Sequence, residues 1–338
     1  MIIDKHNMCV IIYKIGVDDI MKKLISFVLA LIIIASSLTV ISSAAMKGDV
    51  NQDKTIDATD ALLALFYSVG KPTEIADLTL ADMNDDSRID STDALIILKI
   101  SVGIDDPYEK FYAGKEYLIF GDSYTNTNPA NGRLYNPWVP QFEDLMKPSK
   151  ITNKGYSGTT WGFSYYTNSS HVPYGYELVQ QAIDDKTVNP DVVLFLYGAN
   201  DYESWYNRDI DKFLSYSDSE LESMRGKETV AAMIWCLRAI KKNYPNADVF
   251  VCTAIPIMGT DFYLFCKDST LKKRNKQIEI AQKLGVNVID TYSCPLNNDD
   301  PAVYKMYYDY TTFHPNDTGA RVIGRYIAGE LKDYFINK

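Results

Sequence analysis

The sequence predicts an α/β protein whose parallel sheet is covered by helices on both faces, preceded by a small all-α module. Two observations predict the sheet. Short β-rich apolar runs, "EYLIF" from Glu116, "DVVLFLYG" from Asp191, "DVFVCTAIP" from Asp248 and "VNVID" from Val286, recur along residues 115–338. Strands buried on both faces read as continuous apolar runs of this kind rather than as an apolar–polar alternation. Between and after them lie "TVAAMIWCLRAIKKNY" from Thr229, "TLKKRNKQIEIAQKLG" from Thr270 and "GARVIGRYIAGELKDYF" from Gly319, which read as helices. Alternating strands and helices give a parallel sheet with helices on both faces. A third observation predicts the module: "GDVNQDKTIDATDALLALFYSVG" from Gly48 and "ADMNDDSRIDSTDALIILKISVG" from Ala81 align without gaps at an offset of 33 positions.

Residues 1–45 stand apart as a leader. "MKKLISFVLALIIIASSLTVISSAA" from Met21 has a basic start, a long apolar run and small residues up to Ala45, the pattern of a secretory signal peptide. Met21 thus reads as the true start, and the mature chain is expected from Met46 with no membrane attachment after cleavage. The formal net charge of −10 excludes a nucleic-acid partner, which needs a basic stripe to displace counterions from phosphates. Beyond the leader remain Cys236, Cys252, Cys266 and Cys294. An even count permits disulfides in a secreted chain, but Cys252 fits equally well as a small buried hydrophobe, and no pairing is assigned.

Each repeat places oxygen donors at loop positions one, three, five, nine and twelve: Asp49, Asn51, Asp53, Asp57 and Asp60, then Asp82, Asn84, Asp86, Asp90 and Asp93. Position seven offers a backbone carbonyl, from Thr55 or Arg88. A hard cation that takes six to eight oxygens in irregular geometry suits this spacing, so two Ca2+ ions are expected, in a structural role. Each loop runs into a helical apolar stretch closed by glycine, with no full helix before it. In these residues, 46–105, the chain resembles a type I dockerin. The resemblance implies a cohesin domain of a cellulosome scaffoldin as partner, contacted through Ala58, Thr59, Ser91 and Thr92. Family members usually have glycine at position six, where this chain has Lys54 and Ser87, which implies a more strained turn.

Residues 106–114, with Pro107 and no apolar period, read as a linker. In the larger domain, 115–338, ligands are expected beyond the carboxyl ends of the strands. There stand "GDSYT" after the first strand, "NKGYSGTT" after an apolar "ITN", "AND" after "DVVLFLYG", and "HPND" near the C-terminus. Four such blocks in this order resemble the SGNH hydrolases, also called GDSL esterases and lipases. That resemblance implies a flavodoxin-like three-layer α/β/α fold and an acyl-enzyme mechanism needing no cofactor. It implies Ser123 as nucleophile, His314 as its base, and the Ser123 N–H, the Gly158 N–H and the Asn200 amide as oxyanion donors. Asp122 and Asp201 read as carboxylates that pin loops, and Asn316 and Asp317 as the cap of the last helix.

His314 is one of three histidines; His6 falls in the leader and His171 in a polar loop, "NSSHVPYG", at the rim. The family's usual aspartate three residues before the histidine is here Thr311. Two arrangements remain open: Asp309 supplies the acid from two residues further upstream, the preferred reading, or a backbone carbonyl holds the ring of a Ser–His dyad. With a dockerin, the resemblance implies acetyl esters of plant cell-wall polysaccharide as substrate, xylan first, with mannan or pectin esters, a broad esterase or lipase, and a non-catalytic scaffold subunit as alternatives. Tyr124, Trp138, Tyr156, Trp161, Tyr165 and Tyr166 are candidate rings for stacking on sugar faces.

Overall fold

The structure is a computed structural model. It describes residues 46–338 except 74, 76, 84–87, 105, 107, 163–171, 202–206, 256–262, 297–304 and 310–313, and the side chains of 263–267. The leader, Asn84, Asp86, Ser87, Pro107, His171, Tyr165, Tyr166, Thr311 and the Cys266 side chain therefore lie outside the described residues. Residues 46–338 form one compact unit. Among the described residues no helix is long and apolar enough to cross a membrane.

Five parallel strands, β1 (Glu116–Gly121), β2 (Lys150–Gly155), β3 (Val192–Leu196), β4 (Asp248–Cys252) and β5 (Asn287–Ile289), form one sheet in the order β2-β1-β3-β4-β5. This is the flavodoxin-like order. Successive side chains of a strand point to opposite faces, and the core divides accordingly. Leu118, Phe120, Val193 and Phe195 pack on one side with the helices Gly175–Asp184 and Thr229–Asn243, while Tyr117, Ile119, Leu194 and Leu196 pack on the other with Val139–Met146 and Asp317–Asn337. Three layers result. Among the described residues the α-helices whose bounds are defined are, in chain order, α1 (Ala58–Ser68), α2 (Ser91–Ser101), α3 (Glu109–Tyr112), α4 (Val139–Met146), α5 (Gly175–Asp184), α6 (Ile210–Leu214), α7 (Asp218–Met224), α8 (Thr229–Asn243), α9 (Tyr263–Lys283) and α10 (Asp317–Asn337).

Helices α1 and α2 pack around Val50, Ala61, Ala64, Ala81, Ala94 and Ile97. Both start on a capping box, Asp57 with Asp60 and Asp90 with Asp93, which satisfies N–H groups that the first helical turn leaves unpaired. The duplication persists in the hydrogen bonds: Val50 N–H donates to Asp60 at 2.8 Å, and Met83 N–H to Asp93 at 2.8 Å.

The segment read as a linker is packed. It contains α3, and Tyr112, 1% exposed, joins the core against α10. Its aromatic ring had no periodic neighbours to announce burial. The first acidic loop also rests on α10: Arg325 bonds Asp57 at 3.0 Å, Lys54 pairs with Glu330, and Gly329 lies so close to the Lys54 carbonyl that an added Cβ would stand 2.3 Å from it.

Candidate active site

The order β2-β1-β3 reverses the winding direction at β1 and opens a crevice beyond the carboxyl ends of β1 and β3, the usual ligand site of such sheets. Ser123 sits two residues past β1, in a turn where Thr125 and Asn126 N–H both donate to the Asp122 carbonyl at 3.0 Å. Gly121 allows that turn: a Cβ there would stand 2.1 Å from Thr125 Oγ1. Trp138 pins it from outside, its backbone N–H on the Tyr124 carbonyl at 3.2 Å and its Nε1 on Thr125 Oγ1 at 3.1 Å. No helix follows Ser123 directly. Instead Asn126 and Asn128 accept from the N–H groups two residues on, at 2.9 and 3.0 Å, local bonds that favour turns over a helix.

Ser123 Oγ lies 2.8 Å from His314 Nε2 across 191 residues of chain. Among the described residues neither the Ser123 N–H nor the Gly158 N–H has an acceptor. Gly158 has φ +89, a conformation that side chains disfavour. One N–H of the Asn200 amide is spent on the Thr159 carbonyl at 3.1 Å, which ties the end of β3 to the Gly158 loop and leaves the second donor open. The exit of β3 is itself held from α9, where Gln277 donates to the Tyr197 carbonyl at 2.8 Å and the buried Lys273 to that of Gly198 at 3.0 Å. Neither residue carried a sequence signal: both share the buried face of α9 with Ile280 and Ala281, where a polar side chain interrupts the apolar period instead of marking a site.

His314 enters on a short antiparallel ribbon with a bridge between Tyr308 and Pro315. Asp309 N–H donates to the His314 carbonyl at 2.8 Å and Asn316 N–H to that of Tyr307 at 2.8 Å, which sets Asp309 directly opposite His314. Directly opposed residues of a ribbon share a face, with Cβ atoms roughly 4.5–5.5 Å apart. Asn316 then caps α10, accepting from Gly319 N–H at 3.0 Å, while Asp317 is the first helical residue and pairs with Arg321. A Cβ at Gly319 would stand 2.2 Å from the Tyr307 carbonyl, so this glycine lets the helix abut the ribbon.

Two buried carboxylates support the loops from below. Asp201 accepts from Trp161 N–H at 3.2 Å, and Asp122 from Tyr124 N–H at 3.1 Å and from the Ala199 N–H. Burial pushes the Asp122 carboxyl up from 3.8 to about 7; its N–H donors oppose this and the Asp201 charge adds to it. A carboxyl that holds its proton more tightly folded than unfolded contributes stability that is full below the unfolded value and is lost as pH rises through the folded one. Asp122→Asn, which mimics the protonated form, is therefore expected to gain Tm relative to the parent between about pH 4 and about pH 8, as thermal unfolding across that range will show.

Several residues read as candidate sugar platforms prove to be core. Tyr124, Trp138 and Trp161 are 4%, 0% and 0% exposed, filling space against the sheet, since a large ring gains more by full burial than on a rim. Tyr156 remains half-buried. Cys236 and Cys252 are fully buried, and burial pushes both thiols up, which leaves them inert.

In the first acidic loop Asp49 and Asp60 are 3% and 0% exposed. Burial pushes both carboxyls up to about 6, and neighbouring carboxylates add to the rise. Lys54, at position six, takes φ +68, the left-handed turn for which glycine is the ordinary choice. The donor set consists of crowded carboxylate and amide oxygens, which a hard divalent cation fits. As the loop stands, Asp49 accepts from Asp53 and Lys54 N–H, and Asp60 from Val50, Asn51 and Asp57 N–H, at 2.8–3.1 Å. No three acidic or histidine side chains already converge as a metal cluster among the described residues. In the second loop, Asp93 repeats two of the bonds of Asp60, accepting from Met83 N–H at 2.8 Å and Asp90 N–H at 2.9 Å.

A strand-end serine hydrogen-bonded to an imidazole thus stands at the ligand end of a flavodoxin-like sheet. The profile of the GDSL-like lipase/acylhydrolase family matches residues 119–322, and the chain belongs to that family. A dockerin type I domain profile matches residues 47–100. The chain is 26% identical over 193 residues to an acetylxylan esterase of Xylanibacter ruminicola, a match covering 54% of this chain and only 37% of that relative's length. Solved structures similar to it include a protein from Lactobacillus plantarum (21% identity, 65% of this chain and 97% of that one, TM-score 0.46) and phospholipase A1 from Streptomyces albidoflavus (13% identity, 65% and 100%, TM-score 0.42).

Proposed function

We propose that the protein is a secreted, cellulosome-associated serine esterase that removes acetyl groups from plant cell-wall polysaccharide, acetylxylan foremost. The observation that carries the proposal is the 2.8 Å contact between Ser123 Oγ and His314 Nε2 at the carboxyl end of β1. Ser123 Oγ attacks the acetyl carbonyl while His314 Nε2 takes its proton. The negative oxygen that forms is received by the N–H groups of Ser123 and Gly158 and the open donor of Asn200. The imidazolium then protonates the departing sugar oxygen, which leaves as a hydroxyl, and water, activated by the same ring, releases acetate. Asp309, opposite His314 in the ribbon, orients the imidazole and stabilises its charged form. Asn200→Ala is expected to lower kcat by roughly 10²–10³-fold and to lower Tm by only a few degrees, through loss of the bond to Thr159, as acetate-release kinetics beside thermal unfolding will show.

The dockerin supplies attachment. Asp49, Asn51, Asp53, Thr55, Asp57 and Asp60, and the equivalent residues from Asp82 to Asp93, would hold Ca2+, whose charge would neutralise the crowded carboxylates and fix each loop. Ala58, Thr59, Ser91 and Thr92 are exposed beside a shallow apolar groove lined by Leu62, Leu65, Leu95 and Leu98, a surface suited to a cohesin domain. The deciding experiment measures acetate release from acetylated xylan, mannan and pectin by residues 46–338, together with cohesin capture in Ca2+ and in chelator. Acetate release combined with Ca2+-dependent capture is expected. Absence of ester hydrolysis on all three and on aryl acetates overturns the esterase, and chelator-insensitive capture overturns the calcium role.

A further inference from the structure

The imidazole of His314 is covered by a residue that no catalytic motif includes. Tyr135 stacks on it with ring centroids 3.6 Å apart and planes 4° from parallel, and Tyr124 meets it edge-on at 5.4 Å and 89°. On Tyr135 in turn lies the Arg133 guanidinium, 5.0 Å from the ring centroid. The segment carrying these residues is fastened at both ends to the active-site loops. Ser157, the neighbour of Gly158, donates through Oγ to the Arg133 carbonyl at 2.7 Å and through its N–H to that of Asn131 at 3.0 Å. Asn136 donates to the carbonyl of Pro315, the neighbour of His314, at 3.2 Å. Behind it, α10 crosses the Trp138 backbone so closely that a Cβ at Gly324 would stand 2.6 Å from the Trp138 carbonyl. The 132–138 segment is thus a brace between the Gly158 loop and the His314 loop, with the Tyr135 ring as its bearing surface.

Resting on the reading of His314 as the base, we infer that Tyr135 is a positioning residue: its ring face holds the imidazole plane in line with Ser123 Oγ and stabilises the imidazolium formed during acyl transfer. An aromatic face attracts a cation laid against it, so the stack favours the charged ring. Arg133, whose guanidinium also lies against Tyr135, competes for the same π density and repels the imidazolium, which opposes the effect. The other groups placed around the imidazole are Ser123, 2.8 Å from Nε2, and Tyr124, edge-on, both from the turn after β1, and Asp309 across the ribbon. None of these is altered by substitutions in the brace.

The test compares Tyr135→Leu, Tyr135→Phe and Arg133→Ala with the parent, in acetate-release kinetics and in a carbon-13 NMR pH titration of the histidine Cε1–H resonances. With three histidines in the chain, the signal lost in His314→Ala identifies His314. Tyr135→Leu is expected to lower kcat roughly 10-fold at unchanged KM and to lower the His314 pKa by about 0.5; Tyr135→Phe recovers both. Arg133→Ala moves the pKa in the opposite direction, by an amount that shrinks in about 1 M salt. Parental kcat together with a parental titration in Tyr135→Leu overturns the inference, as does a Tyr135→Phe no better than Tyr135→Leu. Failure of the underlying reading is a separate result, ester hydrolysis by Ser123→Ala at the parental rate, and the titration reads the stack in either event.

Discussion

Ser123→Ala and His314→Ala are each expected to lower kcat for acetate release by on the order of 10⁴–10⁶-fold, and the double variant to be no worse than either alone. The non-additivity follows from the geometry. A hydroxyl is a poor nucleophile until a base takes its proton, and the 2.8 Å contact makes Ser123 and His314 a single device. Either substitution removes the whole of it. What survives is substrate binding plus the donors at Ser123, Gly158 and Asn200, which polarise the carbonyl toward attack by water and leave a rate above background. Stability is a useful control, because Ser123 is 5% exposed in a turn whose hydrogen bonds come from Asp122 and Trp138 rather than from its own hydroxyl. Tm within a few degrees of the parent is therefore expected; a collapse in Tm would make the activity loss uninformative, and full activity in either variant refutes the mechanism.

The strands that position this site were legible in the sequence because strands buried on both faces spell unbroken apolar runs, as "YLIF" and "VVLFL" do. β2 was visible only as an apolar "ITN", since an edge strand with half-exposed positions, "KITNKG", lacks that signature. The short helices α6 and α7 are too brief to show a helical period. The acidic loops were legible because their chemistry sits within twelve consecutive positions. Aromatic placement was not: a tryptophan in a glycine- and tyrosine-rich stretch gives no sign of whether it faces the sheet or the solvent, and Trp138 and Trp161 turned inward. The stack of Tyr135 on His314 is beyond sequence reasoning altogether, since it depends on how α10 and the brace meet rather than on any local pattern.

The acid is where geometry adds most to the motif. Asp309→Asn is expected to lower kcat by roughly 10⁴-fold with little change in KM, because an amide opposite the imidazole can accept the same proton position or donate to it, and the donating arrangement selects the wrong tautomer. Asp309→Ala should fall about as far for a different reason, loss of the charge that stabilises the imidazolium. The expectation rests on the ribbon: a hydrogen bond from Asp309 N–H to the His314 carbonyl at 2.8 Å puts the two residues in register, and residues in register present their side chains on one face. A motif that looks only three positions upstream finds Thr311 and no acid; a pairing that counts across the ribbon finds Asp309. The double variant Asp309→Ala with Thr311→Asp then separates the two ways of placing a carboxylate. Recovery of activity means the imidazole needs a charge and accepts it from the usual family position as well, whereas no recovery means the ribbon has fixed the ring for an acid at Asp309 alone. A loss below about tenfold in Asp309→Ala would instead assign ring orientation to a backbone carbonyl and make the enzyme a Ser–His dyad, for which a kcat drop of roughly 10⁴-fold has no source.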